Sequence, residues 1–156
     1  MRIETPDLDE AATVADLWVE LARGQRTFGS RLASEANRER IGEALGRHIA
    51  DGNLLVARSD DRIVGFVMFA IEYRLYVVET TRGIVHNLFV VPDRRGEGIG
   101  TRLMDAAETT LTEKGAAVVG LEVLADNEDA RRFYADREYR PHRVELEKRV
   151  ETDNTP

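Results

Sequence analysis

Between Val90 and Thr101 an apolar run meets a proline and then three alternating glycines. This order predicts a strand that enters a helix through a tight turn. Because the glycines at 96, 98 and 100 have no Cβ atoms, backbone N–H groups in the turn can approach an anion closely. The positive end of the following helix dipole would lie at the same place. The turn is therefore predicted to hold a phosphate-sized anion, and a diphosphate would fit it.

The residues after the turn predict an amphipathic helix from Gly98 to Lys114. Its apolar side chains recur every three or four positions, at Ile99, Leu103, Ala106, Ala107 and Leu111. The common nucleotide motifs do not match the turn, since a dinucleotide fold has GxGxxG and a P-loop has GxxxxGK[ST]. This chain has RxGxGxG and no lysine there. A nucleotide-binding domain is therefore disfavoured.

A second motif lies downstream, in the segment from Asn127 to Tyr134. Offsets of three and seven residues place Asn127, Ala130 and Tyr134 on one face of a helix. An isolated Phe-Tyr pair would favour plain core packing. The order and spacing of the two motifs favour a shared site.

Both motifs resemble those of the GCN5-related N-acetyltransferases (GNAT). Arg95, Gly98 and Gly100 match the family pattern [QR]xxGxG[AG], Leu88 to Pro92 resembles its LxVxP strand, and Asn127 to Tyr134 resembles its NxxAxxFY segment. The resemblance implies an α/β GNAT fold. This fold is a central mixed, mostly antiparallel sheet with a splayed parallel strand pair, flanked by about four helices.

The resemblance further implies transfer of an acetyl group from acetyl-CoA to a primary amine of a small molecule or protein, by direct attack and without a metal. Backbone N–H groups of the turn would bind the pyrophosphate, and the main chain of Phe89 to Val91 would pair with the pantetheine arm. The predicted cofactor-binding residues are Phe89, Val90, Val91, Arg95, Gly96, Glu97, Gly98, Ile99, Gly100, Thr101, Asn127, Ala130 and Tyr134.

Two side chains are candidates for moving protons. An alkyl ammonium has a pKa near 10.4, so a base or a water chain must deprotonate it before it attacks. His86 is the candidate base, with Glu122 and Glu72 as alternatives. Tyr134 matches the family tyrosine that protonates the departing thiolate, and the backbone N–H of Val90 would donate to the thioester oxygen.

The chain departs from the family in two places. Where relatives often continue FYxxxGF, this chain has Glu138 instead of glycine. A left-handed conformation there would cost energy for glutamate. Many relatives also carry an acid where this chain has His86. An alternative function is therefore a catalytically weak acetyl-CoA-binding sensor or regulatory module.

Composition fits one domain, predicted over residues 1–150, with a disordered tail at 151–156. The chain has 156 residues, 42% of them hydrophobic and 33% charged. It has no cysteine, which excludes disulfides and a cysteine nucleophile. Neither a signal peptide nor an apolar membrane span is recognisable, so a cytoplasmic protein without membrane partners is expected.

The charge balance is strongly acidic. A formal net charge of −7 argues against a nucleic-acid partner and is compatible with a cationic acceptor. Lys114 and Lys148 are the two lysines, and the other basic residues are arginines. This combination predicts a salt-adapted or GC-rich source. The sequence is also compatible with a homodimer.

The remaining elements are predicted from periodicity and turn signals. One helix should start at Thr5-Pro6-Asp7 and a second at Ser34, with His48 half-buried in it. Leu54 to Arg58 and Ile63 to Ala70 should form a hairpin around Ser59-Asp60-Asp61. Further strands are expected at Tyr73 to Glu79, Ile84 to Val91, Ala116 to Leu124 and Arg143 to Val150.

No motif identifies the acceptor amine. The first two helices, the connection from Arg23 to Arg31 and the segment from Glu72 to Arg82 are expected to recognise it. Four aromatic residues could line that pocket, although such residues are more often plain core: Trp18, Phe28, Tyr73 and Tyr76.

Overall fold

Five strands form one mixed sheet in the computed structural model, which describes residues 1–151. The spatial order of the strands follows the chain, and all neighbours are antiparallel except the last pair. The strands are β1 (Arg2–Glu4), β2 (Leu54–Ser59), β3 (Arg62–Ile71), β4 (Arg82–Val90) and β5 (Val118–Leu121). The helices are α1 (Ala11–Gln25), α2 (Arg38–Ala50), α3 (Ile99–Glu113) and α4 (Glu128–Asp136). The expected fold class is confirmed.

The β2–β3 hairpin forms where its sequence predicts. Asp60 takes a left-handed conformation in the turn, with φ of 55°, which aspartate tolerates better than most residues. Residues 63–69 of β3 are all buried. A strand buried at every position has both of its faces covered, so β3 lies at the centre of the core.

Helices cover the two faces of the sheet. α3 packs against β2, β3 and β4, and its residues Leu103 and Leu111 contact two strand glycines, Gly65 and Gly83. α1 and α2 pack on each other and against the opposite face. β4, α3 and β5 thus form the predicted crossover unit, in which a helix connects two parallel strands.

Two predicted strands are absent from the described structure. Residues 73–79, expected as a strand, form an exposed loop that starts where the Glu72 N–H donates to the Arg82 carbonyl. Residues 143–150, expected to close the sheet, are extended but pair with no strand in the part of the chain described. Both predictions were wrong because alternating apolar residues form a strand only when a neighbouring edge pairs with them.

Other boundaries differ by a few residues. β5 is shorter than the predicted Ala116 to Leu124, and β1 was not predicted at all. α1 begins at Ala11, after a 3-10 turn at Leu8–Glu10 in which the Glu10 carboxylate accepts from the Asp7 N–H at 3.0 Å. Residues 152–156, most of the predicted tail, lie outside the described residues, so the domain boundary stays a prediction.

None of the helices described is both long and apolar enough to cross a bilayer.

Candidate active site

The site is built around the place where β4 and β5 separate. These strands pair in parallel from Arg82↔Val118 to Val85↔Leu121, and β4 then continues to Val90 after β5 has ended. On that side, residues 86–90 have no strand partner in the described chain. The splayed pair therefore exposes a strand edge inside the protein, where an extended ligand could bind.

The register of β4 on β3 decides which amides face this open edge. The Val91 N–H donates to the Val64 carbonyl at 2.9 Å, and Phe89 pairs with Phe66. Because bonding directions alternate along a strand, Phe89 and Val91 bond toward β3, whereas Val90 directs its N–H to the open edge. Of the three predicted main-chain contacts, Val90 is thus the one oriented toward a ligand in the splay.

The glycine turn presents a series of amides that have no partner. The first helical hydrogen bond of α3 runs from the Arg102 N–H to the Gly98 carbonyl at 3.1 Å. The N–H groups of residues 96–101 make no hydrogen bond within the chain as described. Gly96 and Gly98 both have φ of 80°, a conformation that favours glycine. These free amides at a helix N-terminus fit a diphosphate.

Gly100 has a different role from the other two glycines. Its φ is not positive, and a Cβ there would lie 3.6 Å from the ring of Phe133, an ordinary contact distance. Its backbone lies in the first turn of α3, close to α4. The turn therefore needs glycine for conformation at two of the three positions.

The charged side chains of the turn point away from the free amides or toward each other. Arg95 donates from Nε to the Val90 carbonyl at 2.9 Å, and its guanidinium lies 5.4 Å from the centre of the Phe89 ring. Arg94 and Glu97 form an ion pair at 3.1 Å. Arg95 thus fixes the end of β4, and the Arg94 charge offsets the Glu97 carboxylate beside an anion site.

α4 presents one partly buried face, as the offsets predicted. Asn127, Ala130, Phe133 and Tyr134 are partly buried, whereas the neighbouring positions are exposed. The Asn127 Oδ1 accepts from the Ala130 N–H at 3.1 Å and so caps the helix. Asn127 therefore has a structural role as the N-cap of α4. An Asn followed by two acidic residues is a sequence signal for the start of a helix.

Tyr134 lies in an aromatic cluster. Its ring centre is 5.1 Å from that of Phe133 and 5.8 Å from that of Tyr139, both in edge-on arrangements. Burial raises the pKa of the Tyr134 phenol to about 12, against the opposing charge of Arg137. The phenol is therefore protonated at neutral pH and can donate a proton.

An ion-pair cluster that the sequence did not reveal holds α4 to α3. The Arg137 Nη2 donates to Asp105 at 2.8 Å and to Glu108 at 2.9 Å, and the Tyr139 hydroxyl donates to Glu108 at 2.5 Å. Burial and the hydrogen bond to Glu108 raise the pKa of Tyr139. Between these residues, Glu138 takes φ of 71°. Glu138 thus adopts the left-handed conformation in spite of its cost, and α4 ends with hydrogen bonds from the Glu138 and Tyr139 N–H groups to the Ala135 and Tyr134 carbonyls.

His86 lies on a β-bulge of β4. Met68 pairs with Asn87 and Phe69 with Val85, so His86 is the extra residue on its strand. A bulge redirects the side chain at that point. Its ring lies 6.1 Å from the ring of His48 of α2, in an edge-on arrangement. The bulge follows directly after Val85, the last residue of β4 that pairs with β5, so His86 lies at the start of the open edge.

Burial and two neighbouring side chains set the protonation of His86. Desolvation lowers the pKa of His86 below its usual 6.5, although part of its ring remains accessible, and the electrostatic interaction with His48 lowers it further. The Glu122 carboxylate opposes both effects. The His48 Nδ1 faces the Ala44 carbonyl at 2.9 Å and must carry the proton there. His86 is thus kept neutral near pH 7, as a base must be.

Glu72 is less suited to the role of base. Burial alone would raise the pKa of Glu72, but ion pairs with Arg74 and Arg82 outweigh it and lower that pKa. The Arg82 Nη1 to Glu72 distance is 2.8 Å. Arg82 also lies over Gly120, where a Cβ would collide with its guanidinium. Glu72 therefore fixes arginines at the sheet end and is a poor proton acceptor.

One cleft brings most of the predicted site residues together. The cleft is broad and open to solvent along much of its length. Among the predicted residues, those that line it are His86, Phe89, Val90, Arg95, Gly96, Gly98, Ile99, Gly100, Thr101, Asn127, Ala130 and Tyr134. Val91 and Glu97 do not line it. His48, Glu72 and Glu122 also border the cleft.

The aromatic residues considered for the acceptor pocket divide into two groups. Trp18 is a core residue with 6% of its surface exposed. Phe28 and Tyr73 border the cleft, and Tyr73 and Tyr76 are 96% and 78% exposed. Tyr73 and Tyr76 lie in the exposed loop of residues 73–79, which borders the cleft through Tyr73.

Sequence comparison finds relatives over most of the chain. A family model described as the acetyltransferase (GNAT) family matches residues 13–139. An uncharacterized N-acetyltransferase of Archaeoglobus fulgidus is 32% identical over 140 residues, which cover 90% of this chain and 93% of that protein.

Solved structures share the fold. A GCN5-related N-acetyltransferase from Ralstonia eutropha has a TM-score of 0.73 at 23% identity, covering 96% of this chain and 97% of the other. An aminoglycoside N-acetyltransferase solved in complex with CoA has a TM-score of 0.75 at 15% identity, covering 96% and 94%. At these identities the likeness concerns the fold alone.

Proposed function

The chain belongs to the acetyltransferase (GNAT) family and is an acetyltransferase, and from this premise we propose that it moves an acetyl group from acetyl-CoA directly to a primary amine. The observation that carries the proposal is the open edge of β4 beside the free amides of residues 96–101. An extended arm that ends in a diphosphate would match both features at once.

Acetyl-CoA, when bound, supplies the activated acetyl thioester. The free amides of residues 96–101 would hold its diphosphate, and Val90 would offer its N–H to the extended arm or to the thioester oxygen. Arg95 supports this edge from the side, since it bonds the Val90 carbonyl and packs on Phe89. In this arrangement the main chain makes most of the contacts.

His86 would accept the proton of the incoming amine. Its lowered pKa keeps the imidazole neutral, and its position on the bulge brings it to the open edge. An amine with a pKa near 10.4 is mostly protonated at neutral pH, and its nitrogen must lose a proton as it attacks the thioester, so a base held in the cleft accelerates that step. Glu122 faces the same histidine and would stabilise the imidazolium that forms.

Tyr134 would donate its phenolic proton to the leaving thiolate. Burial keeps the phenol protonated until about pH 12, and a thiol has an ordinary pKa near 8.5. The thiolate is a weaker base than this phenolate, so the transfer is uphill in pKa and is completed by the departure of CoA as the thiol. After the products leave, Tyr134 regains a proton from solvent, and His86 releases to solvent the proton that it took from the amine.

The acceptor is a primary amine of a small molecule or a peptide. The cleft continues past His86 to the open loop with Tyr73, where a cationic group would meet an aromatic surface. A homodimer, a cytoplasmic location and the lack of a metal remain predictions from the sequence.

The proposal is tested by release of free thiol from acetyl-CoA in the presence of polyamines, amino acids, aminoglycosides and peptides. Because the chain has no cysteine, the protein gives no background with a thiol reagent. His86→Ala and Tyr134→Phe should each lower kcat by roughly 10²-fold or more, the usual contribution of proton transfer. His142→Ala is the matched histidine control and should retain full activity.

A thermal-shift measurement separates the enzyme from a sensor that only binds acetyl-CoA. A ligand at a hundredfold excess over Kd adds about 2.7 kcal/mol of stability, so acetyl-CoA should raise the Tm. A raised Tm with no thiol release for any amine would favour the sensor. Stabilisation by ATP or NAD but not by acetyl-CoA would contradict both functions.

A further inference from the structure

Arg82 and Arg74 share a single carboxylate at the end of the cleft where β4 begins. The Arg82 Nη1 donates to one oxygen of Glu72 at 2.8 Å, and the Arg74 Nε donates to the other oxygen. Neither arginine forms an ion pair with a second acid among the residues that the structure describes. The three side chains therefore carry a net positive charge, in a protein whose formal net charge is −7.

The guanidinium of Arg82 has donors to spare. Its Nε and Nη2 make no hydrogen bond within the described chain, and neither atom is buried. The side chain is 22% exposed and borders the cleft. A guanidinium has five N–H donors in a planar fork that matches the oxygens of a carboxylate or a phosphonate. Arg82 can therefore bind an anion from the cleft while it keeps its bond to Glu72.

Gly120 of β5 makes room for this guanidinium. It pairs with Ile84 of β4, and a Cβ on it would collide with the Arg82 side chain. Its φ is not positive, so the backbone conformation does not require glycine there. A glycine inside a strand weakens the strand and often marks the close approach of another group. The glycine thus provides the space that Arg82 occupies.

Arg82 lies on the same face of the sheet as His86. A Cβ on Gly83 would meet Leu111 of α3, so Gly83 faces α3. Because side chains alternate along a strand, Arg82 faces the other side of the sheet. His86 points to that side as well, since its ring lies 6.1 Å from the ring of His48 of α2. A ligand on this face can meet both the base and the cation.

The guanidinium lies near the proposed base and far from the proposed diphosphate site. It covers Gly120, two residues before Glu122, and the Glu122 carboxylate acts on His86. Two residues of a strand span about 7 Å, whereas the whole of β4, from Arg82 to Val90, spans about 26 Å and leads to the glycine turn. A small molecule can therefore reach His86 and the cation together, and a diphosphate held at the turn cannot.

We propose that the acceptor is a small amine that also carries an oxyanion, a carboxylate or a phosphonate, which Arg82 and Arg74 bind while the amine lies at His86. The inference rests on the proposed function and adds the charge of the acceptor to it. The oxyanion gives the two arginines the second partner that Glu72 alone does not supply. An amine without an anionic group leaves them unmatched in a partly desolvated cleft, so it should be a poorer substrate.

Matched pairs of acceptors give the first test, by thiol release from acetyl-CoA. Glycine, β-alanine and aminoethylphosphonate carry an oxyanion, and glycinamide and β-alaninamide are neutral analogues. The best anionic amine should exceed both amides in kcat/KM by about tenfold or more, the usual worth of hydrogen bonds to a charged group. Arg82→Gln should remove this preference by raising KM for the anionic amine, and should leave kcat/KM for the amides unchanged.

Arg40→Gln is the matched control, because Arg40 is an exposed arginine of α2 that does not line the cleft. This variant should keep the preference for the anionic amine. Equal kcat/KM for the anionic amines and the amides in the parent, or a preference that survives Arg82→Gln in a variant that is folded by circular dichroism, would overturn the proposal.

Calorimetry separates a failure of this inference from a failure of the proposed function. The same amines are titrated into protein saturated with CoA, so that no acetyl group is transferred. The best anionic amine should bind about tenfold or more tightly than the amides. Arg74→Gln, a change in the exposed loop that leaves the Arg82–Glu72 pair in place, should reduce this difference.

The two measurements together assign each outcome. Selective binding of the anionic amine without thiol release from any amine would contradict the proposed function and leave the anion site in place. Thiol release with equal binding of acids and amides would support the proposed function and overturn the inference about Arg82 and Arg74.

Discussion

At the scale of single residues, neighbours decide which side chain of the cleft can accept a proton. His86 and Glu72 both border the cleft, and either was a candidate base from the sequence. Two arginines hold Glu72 as a carboxylate with a lowered pKa, whereas desolvation and His48 keep His86 neutral. Residue type alone left both open, because it does not show which arginines pair with Glu72 or that His48 and Glu122 face His86.

The neighbours of His86 should shift the acid limb of the pH–rate profile in opposite directions. A base works in its neutral form, so activity falls as the pH drops through the His86 pKa, which lies below 6.5. His48→Gln removes an imidazole whose interaction with His86 lowers the pKa of His86, so the limb should move to higher pH. Glu122→Gln removes an anion that raises the pKa of His86, so the limb should move to lower pH.

The measurement is kcat/KM from about pH 5 to 8 for the two variants and the parent. His142→Gln serves as control and should leave the limb in place. Parallel shifts, or none, in the His48 and Glu122 variants would show that another group governs the limb.

At the scale of elements, close approach fixes how α3 and the strands pack. A Cβ on Gly65 would lie 2.7 Å from the Phe89 carbonyl oxygen and 3.2 Å from Leu103. The first of these atoms belongs to the backbone of β4 and cannot move aside without disturbing the sheet. This glycine thus keeps β3, β4 and α3 at the distances on which the open edge depends.

Gly65→Ala should therefore destabilise the protein by about 1–3 kcal/mol through overpacking. Gly46→Ala is the matched control, because Gly46 lies in α2 and has no atom within 4 Å of the added Cβ. There the helix propensity of alanine should stabilise by up to about 1 kcal/mol. In thermal unfolding the two changes should move the Tm in opposite directions by roughly 2–4 °C per kcal/mol. Equal effects would contradict the packing argument.

Elements differ in how far their own sequence predicts them. The β2–β3 hairpin and α3 form as expected because each carries its turn residues and its full periodicity locally. Residues 73–79 and 143–150 carry a strand pattern as well, but pairing partners decide the outcome. We did not predict the short β1, because three residues are too few to show a periodic pattern. β1 is a strand because it pairs with the edge of β2.

At the scale of the whole molecule, the net charge of −7 acts on stability through self-repulsion. Ion pairs such as those of Arg58 with Glu4 and Glu10 offset part of the acidic excess. Glu43, Glu79 and Glu113 are exposed and make no ion pair in the described structure. Unpaired surface acids of this kind are the ones that screening by salt relieves.

The Tm should accordingly rise between about 0.1 and 1 M KCl, where the screening length falls from ~10 to ~3 Å. The triple variant Glu43→Gln/Glu79→Gln/Glu113→Gln, with less repulsion to screen, should gain less from the same salt. If the Tm of the parent does not change with KCl, the protein is not salt-adapted in this sense. Repulsion between surface charges then does not lower the free energy of unfolding measurably.

The sequence by itself determined the family, the crossover around the glycine turn and the face of α4 with Tyr134, because short-range spacing fixes each of them. Tertiary structure alone decided where the expected splay begins, after Val85, which register turns the Val90 N–H rather than its neighbours' to the gap, and that His86 meets His48. These features depend on register and on contacts between distant segments, whose energies no local pattern contains.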